Sequence, residues 1–347
     1  MQYNGRYPFF PSDRISTYPV AERSNRVTLD NLLRPEVALR ATYDLDPQER
    51  KIEELARLIA GAVRSHHPVI CFIGAHVVKN GLGLLVADLV RRHIVTLVAT
   101  NGAGAIHDFE LALIGQTSEH VPRALPEGKF GMAREFGYIN AALAEGEKQK
   151  LGFGEALGRC MYDSTFCRAV EEGYGTGGPI QFSHKEVSII AAAYECGVPL
   201  TVHVGVGTDV IDQHPNFNGA AKGGCSGRDF LIYAQEVTRI AGGGVVLNVS
   251  SAVTGPEVLL KAVSMAGNIG RAPAGIVTAD FDLLPYSPDR MTDEQSAEYY
   301  VRHQKSVATR IPQAFGGKGF YLQGDHRATF PRLYREIITC FDSRTSV

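Results

Sequence analysis

The stretch 68–104 decides the fold. It opens with the apolar run PVICFI (68–73), passes through a helical pattern at 81–92, and returns to a second apolar run, IVTLVA (94–99), which NGAG (101–104) follows. Short runs that are apolar throughout are typical of strands buried on both faces of a sheet. Strand, helix and strand at this spacing predict a βαβ unit whose two strands are parallel.

The same alternation continues downstream. Helices are predicted at 47–63, 185–196, 228–240 and 257–265, and further strands at 199–206, 244–249, 275–279 and 319–322. About six parallel strands with helical crossovers predict an α/β fold, a doubly wound, Rossmann-like sheet with helices on both faces.

Two regions depart from this pattern. Residues 1–45 contain four prolines that disfavour a long helix, so we expect an irregular N-terminal arm, whose aromatic side chains could pack on a neighbouring subunit. Residues 46–347 are expected to form a single domain, in which about 107–180 is an insertion or lid between the second and third strands.

Composition narrows the class of protein. Of the 347 residues 44% are hydrophobic and 21% charged, and the formal net charge is −2. These values are ordinary for a globular protein and lack the basic footprint of a nucleic-acid binder. None of the six cysteines is spaced as CxxC, and no apolar run approaches the length of a membrane span. We therefore expect a cytoplasmic protein with reduced thiols that binds neither nucleic acid nor membrane.

Small, polar or acidic residues follow every predicted strand. They occupy 74–76, 100–104, 205–209, 248–251, 278–282 and 324–326. The carboxyl ends of parallel strands are where open α/β sheets bind ligands. Glycine lets a phosphate approach the backbone, and aspartate accepts ribose hydroxyls. These segments after the predicted strands, which we call the strand exits, predict a nucleotide-type pocket, although neither GxGxxG nor a P-loop is present.

Two clusters carry acid–base side chains. His107 and Asp108 follow the second strand and could exchange protons with a substrate, or Asp108 could simply cap a helix. His203, Asp209, Asp212 and His214 form the second cluster, which could shuttle protons or bind a divalent metal. No metal-binding motif supports the latter, and the position of His203 inside a strand indicates a core residue.

Read together, the exits resemble the deoxyhypusine synthase family over about residues 68–338. The matching residues are Asn101-Gly102-Ala103, Asp108, Thr208-Asp209, Gly242-Gly243-Gly244-Val245-Val246, Thr278-Ala279 with Asp282, and Gly324-Asp325 with Phe330-Pro331. The resemblance implies a Rossmann-like fold, NAD as cofactor, and a homotetramer or homodimer with sites between subunits. The cofactor-binding residues it implies are Gly74, Ala75, His76, Asn101, Gly102, Ala103, Asp209, Gly242, Gly244, Thr278, Ala279, Asp282 and Asp325.

The residues that would contact the substrate differ from those of that family. Its attacking lysine lies in a Trp-Gly-Lys-Ile motif, and this chain has no tryptophan. The nearest segment, 299–305, offers Lys305 as a replacement. A substrate-contacting histidine becomes Asn248, a substrate-contacting aspartate becomes His214, and a Thr-Ser-Asn turn becomes residues 74–76. The resemblance therefore implies that the residues that bind NAD are kept and that the substrate is a different one.

These observations lead to one function hypothesis and three alternatives. The chain is expected to be an NAD-dependent transferase or oxidoreductase that oxidises a small amine or alcohol to an imine or carbonyl. His214, His107 or His76 would be the base, Asp108 a further acid–base group, and Lys305 a covalent lysine. The alternatives are deoxyhypusine synthase itself, a non-catalytic NAD-binding regulatory protein, and metal-dependent chemistry at Asp209 and His214.

Overall fold

Six parallel strands form the central sheet of the computed structural model, which describes residues 3–43, 48–175, 178–300 and 306–342. The strands of the described chain are β1 (Asn25–Thr28), β2 (Val69–Ile73), β3 (Leu97–Asn101), β4 (Gln116–Glu119), β5 (Leu200–His203), β6 (Val245–Val249), β7 (Val277–Asp282) and β8 (Lys318–Gln323).

The helices alternate with these strands. They are α1 (Pro35–Arg40), α2 (Glu49–Arg64), α3 (Ala75–Lys79), α4 (Gly83–Arg91), α5 (Gly102–Ile114), α6 (Val121–Ala124), α7 (Phe136–Lys148), α8 (Phe153–Tyr162), α9 (Ser164–Tyr174), α10 (Ile189–Glu195), α11 (Gly219–Val237), α12 (Thr254–Asn268), α13 (Pro288–Thr292), α14 (Ile311–Ala314) and α15 (His326–Asp342).

The order of strands across the sheet is β5-β3-β2-β6-β7-β8, and every neighbouring pair is parallel. The first strand of the sheet along the chain, β2, is central: Ile70 pairs with Leu97 of β3 on one side and Val246 of β6 on the other. The chain therefore builds outward from β2 in one direction and then in the other. This is the Rossmann order, so the predicted fold class is confirmed.

Several predicted boundaries are wrong, among them the end of β5, which lies at His203 instead of 206, and three others have a local cause. Ile94 and Val95 precede β3, because their N–H groups bond to Leu89 O and close helix α4. Strand β7 runs on to Asp282, three residues past its predicted end. Helix α11 begins at Gly219, since Asn218 caps it by accepting a hydrogen bond from Ala221 N–H. Glycines in its first turns hid this start from the sequence pattern.

The N-terminal arm packs on its own chain. Strand β1 pairs antiparallel with β4, with Asn25 opposite Glu119. Further back, Tyr18 bonds to Met132 and Arg134 through the backbone and donates its hydroxyl to Glu119. The aromatic side chains that remain exposed are those of Tyr3, Tyr7, Phe9 and Phe10. This packing places Arg23 of the arm beside Glu110 of α5.

The segment between β3 and β5 is helical and shares the main core. Phe153 and Leu157 of α8 and Ile139 of α7 belong to the same buried cluster as Val98 of β3. This shared burial places the segment against one face of the sheet. Within the part of the chain that the structure describes, no helix has the length and apolar character needed to cross a membrane.

Candidate functional site

The carboxyl ends of β2 and β6 mark the switch point of the sheet. The chain runs from β2 to β3 on one side and from β6 to β7 on the other, and such points open a crevice in doubly wound folds. Gly74 N–H, directly after β2, donates to Val249 O at 2.8 Å. A Cβ on Gly74 would lie 1.9 Å from the carbonyl oxygen of Ser250, so only glycine fits here. Ser250 itself has a φ of 65°, an uncommon conformation for a non-glycine residue.

A cleft of about 430 Å³ opens beside this crossing. Exits from β2, β6, β7 and β8 all contribute to it. We call it the switch-point cleft, and its lining residues are His76, Asn80, Ser250, Leu283, Asp325, His326 and Arg327.

Two imidazoles face the switch-point cleft. His326, the first residue of α15, is 8% exposed, and its Nδ1 has no hydrogen-bond partner among the described residues. Burial lowers the pKa of His326, although the charges of Asp282 and Asp325 partly oppose that effect. Burial also lowers the pKa of His76, and the charges of Lys79 and His107 lower it further. Both rings are therefore neutral at pH 7 and able to accept a hydrogen bond.

A second cavity of about 250 Å³ lies at the exits of β3 and β5. We call it the side pocket. Apolar residues such as Ile106 and Phe136 form part of its wall, and its ionisable lining residues are Arg23, Lys79, His107, Glu110, Glu119 and Asp209. Helix α3 stands between the two cavities, because His76 faces the cleft while Lys79 lines the side pocket.

A buried hydrogen-bond chain ends at the side pocket. Arg23 forms an ion pair with Glu110, and both side chains are at most 5% exposed. The Thr117 hydroxyl donates to Oε2 of Glu110 at 2.5 Å, and Nδ1 of His107 lies 2.7 Å from the same hydroxyl oxygen. Burial alone would raise the pKa of Glu110, but its bond with His107 and the charge of Arg23 outweigh that effect and lower it. Glu110 is therefore ionised at neutral pH.

Asp209 reaches the site because a buried lysine holds it there. Nζ of Lys222 lies 2.8 Å from Asp209 and 2.6 Å from Asp212, and the lysine side chain is fully buried. Burial raises the pKa of Asp209, with the charge of Lys222 acting against it. The Asp209 carboxylate sits against Gly102 at the start of α5.

Several predicted site residues do meet at this edge of the sheet. His76 and Asp325 line the switch-point cleft, while Gly74 and Asp282 are close to its lining residues in sequence. Ala103, His107 and Asp209 line the side pocket, and Asn101 and Gly102 directly precede Ala103. Ala75 follows Gly74 in the first turn of α3. Asn101 caps α5 by accepting a hydrogen bond from Gly104 N–H at 2.8 Å.

Four residues predicted to bind the cofactor lie away from both cavities, and that role stays a prediction for them. Gly242 and Gly244 precede β6 and thus lie at the amino-terminal edge of the sheet, opposite the site. Their N–H groups bond to Ala274 O and Ile240 O. Thr278 and Ala279 are fully buried inside β7 because that strand ends later than predicted. The Thr278 hydroxyl donates to Val307 O at 2.6 Å.

Two residues predicted to be catalytic, Asp108 and His214, are buried away from both cavities, and their catalytic role stays a prediction. Asp108 is 3% exposed and accepts hydrogen bonds from the Ser188 hydroxyl and from the N–H groups of Ile189 and Ile190, so it anchors the start of α10. His214 is 1% exposed, with Nε2 against Gly131 O and burial lowering its pKa. Neither lines the cavities described above. Lys305 lies outside the described residues.

The proposed metal cluster does not form within the described ranges. Asp209 and Asp212 are paired with Lys222, and His214 turns to a backbone carbonyl. No group of three histidine, cysteine or acidic side chains there comes close enough to hold a metal ion.

Sequence reasoning gave no role to four residues that shape the site: Arg23, Lys79, Lys222 and His326. His326 was part of the segment 324–326 after the last predicted strand, but only Asp325 was assigned a role there. Lys222 lies in a helical turn that the glycines disguised. Arg23 carried no signal, because only the pairing of β1 with β4 brings the arm to α5.

Comparison with known proteins yields likenesses of fold. No family model and no curated protein matches the chain. The apo structure of ArgZ, a cyanobacterial arginine dihydrolase, matches with a TM-score of 0.46 at 16% identity, covering 86% of this chain and 33% of that one. AgrE, solved as a ternary complex with ornithine and NAD⁺, matches at 0.44 and 14%, covering 88% and 35%.

A provisionally assigned deoxyhypusine synthase from Entamoeba histolytica matches over 94% of this chain and 97% of its own, with a TM-score of 0.39 at 7% identity. The chain spans about a third of the length of the ArgZ and AgrE structures. Identities and TM-scores this low carry no information about activity.

Proposed function

We propose that this chain is an NAD-dependent enzyme that oxidises a carbon bearing an amine or a hydroxyl group, with an imine or a carbonyl as product. The observation that carries the proposal is the switch-point cleft. Its position at the divergence of β2 and β6 is the place where Rossmann-ordered sheets accommodate dinucleotides. Its volume of about 430 Å³ suits a small-molecule site.

The residues of the cleft fit the polar parts of a dinucleotide. Nδ1 of His326 is an acceptor or donor that the described chain leaves without a partner in a nearly buried side chain. Such a group is costly unless a ligand or water satisfies it. Asp325 and Ser250 offer further oxygen atoms at the rim, suited to ribose hydroxyls. When bound, NAD⁺ would supply the oxidant for the reaction.

The uncommon backbone of Ser250 supports the same site. A non-glycine residue with φ of 65° costs free energy that the surrounding structure must offset. Here it lies at the contact between the two strand exits, where it turns the Ser250 carbonyl toward Gly74. Such conformations cluster at ligand sites, and we take this one as part of the cofactor cradle.

Calorimetric titration of NAD⁺ into nucleotide-free protein tests the proposal. We expect micromolar binding, about −8 kcal/mol, and a weakening of at least about tenfold in His326→Ala because Nδ1 loses its ligand partner. The matched control is His67→Ala, since His67 stands beside Gly242 at the opposite edge of the sheet. Absence of binding by the wild-type protein would overturn the proposal.

The choice between oxidation and group transfer needs a second assay. Transfer of a butylamine group from spermidine to a protein lysine would identify deoxyhypusine synthase activity, with Lys305 as the lysine to substitute. Tight NAD⁺ binding with no reduction by any amine or alcohol would instead favour a regulatory protein. The family resemblance also leads us to propose a homodimer or homotetramer, which sedimentation velocity would measure.

A further inference from the structure

The side pocket has room for one small molecule. Its 250 Å³ would hold about eight water molecules at liquid density. The apolar part of its wall consists of Ile106, Val121, Phe130, Phe136 and Val210. A short hydrocarbon chain in the pocket would leave water and bury itself against these side chains, which is favourable.

The three carboxylates that line the pocket already accept hydrogen bonds from the protein. Glu110 and Asp209 are each paired with a buried cation, as described above. Oε1 of Glu119 accepts the hydrogen of the Tyr18 hydroxyl, and Oε2 accepts the N–H of Gly131, both at 2.9 Å. A cationic ligand would have to compete with these donors for the carboxylate oxygens.

Hydrogen-bond donors in the pocket, in contrast, are left without acceptors. The ammonium group of Lys79 has no hydrogen-bond or ion-pair partner among the described residues, and an ammonium group can only donate. The Ser118 hydroxyl forms no hydrogen bond in the described ranges either, although Ser118 is only 6% exposed. A buried hydroxyl without a partner is unfavourable unless a ligand or water satisfies it.

The backbone of Ser118 brings its side chain to the pocket. Consecutive side chains of a regular strand point to opposite faces, yet Ser118 and Glu119 of β4 both line this cavity. The φ of Ser118 is 70°, an uncommon conformation for a residue other than glycine. Such conformations cluster at ligand sites, where the surrounding structure offsets their cost.

We infer that the side pocket binds a small carboxylate with a short apolar chain, its carboxylate group at Lys79 and Ser118 and its chain against Ile106 and Phe136. Lys79 is half-buried, and its flexible four-carbon chain lets the ammonium group move toward the hydroxyl within so small a cavity. The ligand supplies the acceptor that both donors lack. This site is separate from the switch-point cleft, and the inference does not depend on NAD⁺ binding.

Butyrate is the probe, titrated into nucleotide-free, ¹⁵N-labelled protein and followed through backbone amide shifts. We expect saturable shifts at Ser118 and its neighbours, with a dissociation constant of about 1 mM. Butyramide has nearly the same shape without the charge and should bind at least about tenfold more weakly.

Two variants test the assigned donors. Lys79→Met should weaken butyrate binding at least about tenfold, because it removes a charged hydrogen bond, and Ser118→Ala about fivefold. Lys129→Met is the matched control and should bind like the wild type. Lys129 is 57% exposed, is paired with Glu127 and does not line the pocket.

The wild-type titrations can overturn the inference without any variant. Absence of saturable shifts, or equal affinities for butyrate and butyramide, would do so. Tighter binding of inorganic phosphate than of butyrate would overturn the apolar chain. Tighter binding of 4-aminobutyrate would show that Glu119 recognises an ammonium group, and would overturn it as well.

A last titration separates this site from that of the cofactor. If NAD⁺ displaced butyrate, the side pocket would belong to the cofactor and the inference would be wrong. Butyrate binding that saturating NAD⁺ leaves unchanged supports the inference. Butyrate binding in a protein that fails to bind NAD⁺ also supports it, while overturning the proposed function.

Discussion

Oδ2 of Asp209 lies 2.8 Å from Nζ of Lys222, a lysine whose side chain is fully buried. The same ammonium group donates to Asp212 and to Gly205 O, so one cation fixes both ends of the loop that follows β5. Asp212 in turn accepts from the N–H groups of Gly207 and Thr208. The loop that borders the side pocket is therefore held by charge as well as by the burial of Ile211 in the main core.

Lys222→Met should destabilise the protein by about 3–5 kcal/mol, because it leaves two carboxylates close together without their cation. Urea unfolding followed by circular dichroism measures the loss. Lys148→Met is the control, since Lys148 is 71% exposed and its pair with Glu145 lies on the surface. Equal stability of the two variants would show that the buried ion group contributes nothing net.

Gly74→Ala should disrupt the crossing of the two strand exits. The new Cβ would lie 1.9 Å from the Ser250 carbonyl oxygen, so one backbone segment must move. We expect a loss of stability of at least about 1–3 kcal/mol and a loss of NAD⁺ affinity together.

Gly223→Ala provides the matched control for that substitution. Gly223 lies within α11, and a Cβ added there would meet no atom within 4 Å, so alanine should stabilise the helix by about 0.5–1 kcal/mol. If Gly74→Ala behaved like Gly223→Ala in urea, the close approach at the switch point would not constrain the chain.

The sheet was predictable because its strands are apolar on both faces. Periodicity located β2, β6 and β8 to within about a residue or two and fixed their parallel alternation with helices. The predicted ends of helices and strands were wrong where local hydrogen bonds extend an element through residues that do not fit its usual composition. Asn218 starts α11 across a glycine-rich turn, and β7 continues through the polar residues Asp280 and Asp282.

The candidate site was predictable only in part. The position of a residue after a strand places it at the edge of the sheet, but it does not give the partners of its side chain. Asp108 and His107 are adjacent in sequence, yet one bonds to the start of α10 and the other lines the side pocket. Successive helical residues point in different directions. The pairing of Arg23 with Glu110 spans 87 positions and leaves no local pattern.

Asp108→Asn should affect stability rather than cofactor binding. The carboxylate accepts hydrogen bonds from Ser188 and from two N–H groups at the start of α10, and the amide cannot replace all three. We expect a loss of about 1–3 kcal/mol in unfolding free energy with unchanged NAD⁺ affinity. Asp163→Asn, at a solvent-facing helix cap, is the control and should change little.

A different result would indicate that Asp108 takes part in catalysis. If Asp108→Asn kept its full stability while NAD⁺ reduction was lost, its carboxylate would have to act on the substrate through a rearranged α10. The two measurements therefore separate an anchor from an acid–base group.

The buried carboxylate of Asp229 should make stability fall as pH rises. Burial raises its pKa to about 7, although the N–H groups of Val202 and Gly154 partly oppose the shift by bonding to it. In the unfolded chain the pKa returns to about 4. Between these values the folded state binds the proton and the unfolded state has lost it. Stability from this group is thus complete below about pH 4 and is lost as pH rises to about 7.

Asp229→Asn should remove that dependence, because the amide does not titrate. Urea unfolding at several pH values between 4 and 7 measures the difference in slope between wild type and variant, expected at up to about 1.4 kcal/mol per pH unit. Asp13→Asn, at an exposed position in the arm, should keep the wild-type slope. Identical slopes in wild type and Asp229→Asn would mean that Asp229 is ionised in the folded protein, with the N–H groups of Val202 and Gly154 outweighing its burial.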